Sequence, residues 1–74
     1  MIERYYELAN EIILLAVEDL RGALERYSMY PTEENRNLVE HEKAFFYTEW
    51  YDRLTRVNGD DIVKPIMRQY GMEE

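Results

Sequence analysis

The chain has 74 residues, no cysteine, one histidine and a formal net charge of −7. That length holds a single domain, read here as 1–74, and a domain so short buries only about 60% of its unfolded surface. Disulfides and Cys/His zinc sites are excluded, oligomerisation is the remaining way to enlarge the core, and the acidity opposes nonspecific contact with nucleic acid or anionic lipid.

Residues 3–29 read as one long helix. Tyr5, Leu8, Ala9, Ile12, Ile13, Ala16, Val17, Leu20, Ala23, Leu24 and Tyr27 recur with the spacing of a helix that buries one face. Glu3, Glu7, Glu11, Glu18, Arg21 and Glu25 fill the opposite arc, a pattern that reads as a solvated face. Leu14 sits within that polar arc, Leu15 lies at its edge, and Gly22 should weaken the helix locally.

The break falls at Tyr30-Pro31-Thr32, because proline disfavours helical geometry in the residue before it. Thr32 is the expected N-cap of a second helix, with Glu33 and Glu34 in its first turn. This helix is expected from about residue 33 to about residue 56. Val39, Phe46, Trp50, Leu54 and Val57 form one apolar stripe on it, and Leu38 and Phe45 a second. A short connection makes the two helices an antiparallel hairpin.

Asn58-Gly59 signals a turn through residues that tolerate positive φ. Asp60 or Asp61 then caps a third helix ending at Gly71, and Pro65 pushes its start toward Lys64. Met72, Glu73 and Glu74 should fray. The expected fold is therefore all-α: a long antiparallel helical hairpin closed by a short third helix. Leu14 and the second stripe leave apolar surface over, so the expected assembly is a homo-oligomer, a dimer before other forms because two-fold closure is commonest.

From Glu42 the chain reads E-K-A-F-F-Y-T-E-W-Y-D-R-L-T-R-V-N-G-D-D-I-V. This resembles small uncharacterised proteins of prophages and mobile elements of Gram-positive gut bacteria, which carry an E-x-x-F-F-x-S-x-W-F-x-x-L-T-x-x-D-G-like motif. Phe45-Phe46, Trp50, Leu54-Thr55 and Gly59 carry the likeness, together with the upstream Ala16-Val17-Glu18-Asp19-Leu20-Arg21. Thr48 stands for serine, Asn58 for aspartate, and Pro65 interrupts the last helix. The resemblance implies a mobile-element setting and action by binding host machinery or host signals. It carries over no catalytic residue.

Enzyme chemistry finds no support. His41 is flanked by Glu40 and Glu42, but neighbours on a helix point apart, and no carboxylate stands three or four residues away. No metal or other cofactor is expected. Ser28 is the sole serine, and Gly22, Gly59 and Gly71 are too scattered for a phosphate loop. Glu42 and Glu49 lie two turns apart, about 10 Å along a helix, with no cleft implied between them. Glu49 is more simply an ion-pair partner for Arg53, four residues on.

Seven tyrosines, two phenylalanines and one tryptophan are the unusual feature. Phe45, Phe46 and Trp50 read as core. Tyr47 and Tyr51, four apart, border a basic zone of Arg53, Arg56, Lys64 and Arg68. Tyrosine beside arginine anchors protein interfaces, and also stacks on bases and pairs with phosphates. The plainer reading is a wet rim to the core. The candidate partner-binding or ligand-binding set is Tyr47, Tyr51, Arg53, Arg56 and Lys64.

Three functions fit. The leading expectation is a non-catalytic accessory protein of a phage or mobile element that binds a host protein, as an inhibitor of a host enzyme or defence component. The alternative is an oligomeric sponge for a small anionic nucleotide signal, using Tyr51, Arg53 and Arg56. The third is a helix-turn-helix DNA binder over residues 49–70, which the acidity disfavours. No basic region precedes an apolar one at the N-terminus, and the run Ile12–Val17 is too short to span a bilayer. The expected location is therefore the cytoplasm, that of the host cell if phage-encoded, with no membrane partner.

Overall fold

The structure, a computed structural model, describes residues 2–72, and only the backbone of Ile2 and Glu3. Glu73 and Glu74, expected to fray, lie outside the described residues, as does the Glu3 side chain of the acidic stripe. The described chain is all-α: a long helix followed by shorter ones. These are α1 (Ile2–Met29), α2 (Glu33–Ala44), a 3-10 turn (Phe45–Tyr47), α3 (Glu49–Leu54) and α4 (Gly59–Gln69).

α1 runs unbroken through Gly22 for 28 residues. At 1.5 Å per residue it is about 42 Å long, and it sets the 44 Å long dimension of the molecule. It stops ahead of Tyr30-Pro31. Thr32 caps α2 as expected: its hydroxyl accepts from the Asn35 N–H at 3.1 Å, with Glu33 and Glu34 in the first turn. Asn35 Nδ2 donates back to the Tyr30 carbonyl at 2.8 Å and pins the link. α2 then returns along α1. Leu38 shares one groove with Gly22 and Ala23, while Phe45 shares another with Ile12 and Ala16, so the pair is antiparallel.

The second helix does not reach residue 56. It gives way at Phe45 to the 3-10 turn and restarts at Glu49. Thr48 makes the break. Its backbone is extended (φ −91°, ψ 160°), its hydroxyl donates to the Phe45 carbonyl at 2.8 Å, and the same oxygen accepts from the Tyr51 N–H at 3.1 Å. One hydroxyl thus satisfies a carbonyl behind it and an orphan N–H ahead, the work of an N-cap.

Restarting the helix rotates its register. Trp50, expected in the core, is 53% exposed, and Tyr51, expected at the rim, is completely buried. Val57, also assigned to the core stripe, is exposed, while Phe46 and Leu54 are buried as expected. Phe45, Phe46 and Tyr51 meet edge to face with centroids 5.3–5.8 Å apart, the favoured arrangement for aromatic pairs. Around this cluster pack Leu20 and Leu24 of α1, Val39 of α2, and Val63, Ile66 and Met67 of α4.

α4 begins earlier than expected. Asn58 caps it through its side-chain oxygen, which accepts from the Asp60 N–H at 2.9 Å. Pro65 lies inside the helix rather than before it. Its missing N–H leaves the Asp61 carbonyl without an i+4 donor, and both residues are exposed, so water can serve that carbonyl. Asn58-Gly59 is not a positive-φ turn. Gly59 is required for another reason: a Cβ there would press into the carbonyl oxygen of Phe46 and lie 3.3 Å from the Phe46 Cβ.

The positive φ belongs to Gly71 (68°). The Gly71 N–H donates to the Arg68 carbonyl at 3.0 Å and the Met72 N–H to the Met67 carbonyl at 2.9 Å, the paired bonds of a Schellman C-cap. Met72 does not fray: it is half-buried and packs on the core.

Two expected core positions on α1 stay in solvent: Tyr5 (49% exposed) and Leu8 (53%). The cause is length. The 12 residues of α2 cover only about 18 Å of α1. The remaining end of α1 meets α3, held there by Tyr5 Oη donating to the Arg53 carbonyl at 2.8 Å. Arg21 Nη1 donates to Gln69 Oε1 at 2.6 Å and ties the end of α4 to the middle of α1.

Candidate functional site

The five candidate residues do not converge into one site. Tyr47 and Lys64 come together through Asp60: the Tyr47 hydroxyl donates to Oδ1 at 2.7 Å, and Lys64 Nζ lies 3.8 Å from Oδ2. The Asn58 cap sets Asp60 in the first turn of α4, facing the 3-10 turn that presents Tyr47. Arg53 and Arg56 are exposed, the first on α3 and the second just after it. Glu49 and Arg53, four apart on α3, form no ion pair with each other.

Tyr51 is corrected most. No part of it reaches the surface, so it cannot stack on a ligand or a partner. Its hydroxyl meets no hydrogen-bond partner among the described residues. Burial pushes its pKa above the ordinary tyrosine value, and the charges of Asp52 and Asp61 add to the rise. The nucleotide-sponge reading thereby loses one of its three residues.

The residue that sequence reasoning missed is Trp50. The signal was present as Thr48-Glu49, a capping residue followed by an acid, embedded in an aromatic run that masked it. α3 is six residues long and buries Tyr51 and Leu54. Trp50 and Arg53, three apart on that helix, are neighbours on its outer side. Arg56 and Val57 follow, both exposed. An exposed tryptophan flanked by two arginines has the composition of an interface anchor.

A second feature lies between α1 and α2. A groove of about 490 Å³ is lined by Ile12, Leu15 and Ala16 on one wall and Ala44 and Phe45 on the other. Asp19 and Glu42 border it, with His41 and Thr48. Leu15, expected at the edge of the polar arc, is 59% exposed here, and Leu14, on the far side of α1, is 62% exposed.

Among the described residues no group of three His, Cys, Asp or Glu side chains is placed to hold a metal ion, and no helix is long and apolar enough to cross a membrane. No family model, curated protein or solved structure matches this chain.

Proposed function

We propose that the chain is a non-catalytic protein-binding module, an accessory protein of a phage or mobile element that acts on a host protein. The setting comes from the resemblance of the Phe45–Gly59 stretch. The binding surface is the outer side of α3: Trp50 and Arg53, with Arg56 just after it. The observation that carries this reading is Trp50, the sole tryptophan, 53% exposed on a helix whose next residue is fully buried. Tryptophan and arginine dominate binding energy where they enter a partner's desolvated pocket. The partner that fits has an apolar pocket rimmed by carboxylates.

Against a DNA-binding role stand Asp60 and Asp61 in the first turn of α4. In a helix-turn-helix that turn of the recognition helix approaches the base edges, and two acids there repel phosphates. We extend the protein-binding reading to a homodimer acting in the host cytoplasm.

The test is affinity capture from host lysate with the wild type and Trp50→Ala side by side, followed by titration of the purified captured protein. Saturable binding that Trp50→Ala weakens at least about 30-fold, matching a hot spot of about 2 kcal/mol, supports the reading. Equal capture by both proteins would refute the Trp50 surface. A melting temperature raised by nucleotides, with no protein captured, would favour the sponge.

A further inference from the structure

We infer that two copies of this chain pair through the flank of α1, antiparallel about a two-fold axis near Ile12. The inference deepens the homodimer part of the proposal and is independent of the Trp50 surface.

Five residues define the flank: Arg4, Leu8, Ile12, Leu15 and Asp19. Their spacings of four, four, three and four place them within roughly 80° of the α1 circumference. Leu8 and Leu15 are 53% and 59% exposed, and Ile12 is half-buried between them. The flank lies beside the main core face, and from Ile12 to Asp19 it forms one wall of the groove shared with Ala44 and Phe45.

The ends decide the occupant. Arg4 closes the flank at one end and Asp19 at the other, about 22 Å apart. Neither is in an ion pair with another described residue. Glu42, across the groove, adds a second carboxylate at the Asp19 end. A stripe of leucines with a cation at one end and anions at the other is complementary to itself when reversed. A two-fold axis near Ile12 sets Arg4 of each copy at Asp19 and Glu42 of the other and brings each Leu8 to the other's Leu15. The interface is isologous and closes at two copies. A different partner would have to reproduce this charge order, whereas a second copy carries it already.

The chain has no cysteine, which makes the geometry directly testable. At tens of micromolar, sedimentation equilibrium should give a dimer. Arg4→Glu and Asp19→Arg should each weaken it roughly tenfold, since each change removes two symmetric attractions and adds repulsion. The double variant should recover most of the loss. Under mild oxidant, Ile12→Cys should cross-link between copies and Glu25→Cys should not. A mixture of Leu8→Cys and Leu15→Cys chains, both positions exposed on the flank and paired across the axis, repeats the test should the half-buried Ile12 position fail to fold. A wild-type monomer overturns the homodimer and this inference together while leaving the Trp50 surface standing. A dimer whose charge swap gives no recovery, and in which neither Ile12→Cys nor the mixture of Leu8→Cys and Leu15→Cys chains cross-links, overturns the α1 pairing alone.

Discussion

The backbone of Gly59 lies against the carbonyl of Phe46 with no room for a side chain between them. This contact seats the first turn of α4 on the 3-10 turn and holds the aromatic cluster beneath it. The obstruction is backbone, which cannot swing aside as a side-chain tip can. Gly59→Ala should therefore cost about 1–3 kcal/mol, the range for overpacking. In a domain this size each kcal/mol lowers the melting temperature by about 4–8 °C. An unchanged thermal melt would show that α4 can step back from Phe46.

Thr48 sets which residues face inward after the turn. Removing its hydroxyl removes the cap of α3 and the bond to the Phe45 carbonyl. Thr48→Ala should destabilise by about 1 kcal/mol, and Thr48→Ser should restore most of that. Chemical denaturation of the three proteins, with equal m-values, checks it.

Phe46 and Trp50 should part company under truncation. Phe46 is buried at the centre of the core, and Phe46→Ala should cost about 3–5 kcal/mol, enough to unfold most of a marginal domain. Trp50→Ala changes a surface residue and should stay within about 1 kcal/mol of the wild type. A large loss of stability in Trp50→Ala would place the indole inside after all.

Tyr51→Phe should hold or raise stability by up to about 1 kcal/mol, because it deletes a buried hydroxyl that meets no partner among the described residues. The pH dependence has a definite sign. The folded pKa lies above the unfolded value of 10.0, so between those two values the unfolded state releases the proton while the folded state keeps it. The wild type loses stability as pH rises above about 10, and below that pH the contribution is constant. The advantage of Tyr51→Phe should thus grow on the alkaline side. A constant difference from about pH 8 to about pH 11 would contradict the raised pKa.

Much of the fold was legible because its signals are local. The 28 residues of α1, the stop at Tyr30-Pro31 and the Thr32 cap each depend on residues within one turn of one another. Thr48 is as local, but the apolar period runs across it: Phe46, Trp50 and Leu54 keep helical spacing on either side, so a continuous helix was the simpler reading. The inversion of Trp50 and Tyr51 followed from that one missed cap. Gly59 is a different case. Its need for a bare Cα comes from a residue thirteen positions away in the chain, and no turn rule carries that information. Pro65 misled by a general rule. Interior proline is costly, yet here both Pro65 and Asp61, whose carbonyl it frees, are exposed residues. The exposure of Tyr5 and Leu8 depends on where α2 ends and on what meets α1 beyond it. The candidate site suffered most, since its residue list was drawn from a face that the Thr48 turn divides.

Trp50 gives the molecule an optical property. A tryptophan in a core usually shifts its emission to longer wavelength when the protein melts. This one already stands half in water, so folding and unfolding should change its emission little. Its indole responds instead to whatever covers α3. Emission that moves to shorter wavelength as a candidate is titrated in, and is quenched less by added iodide, would report contact at that helix without any label.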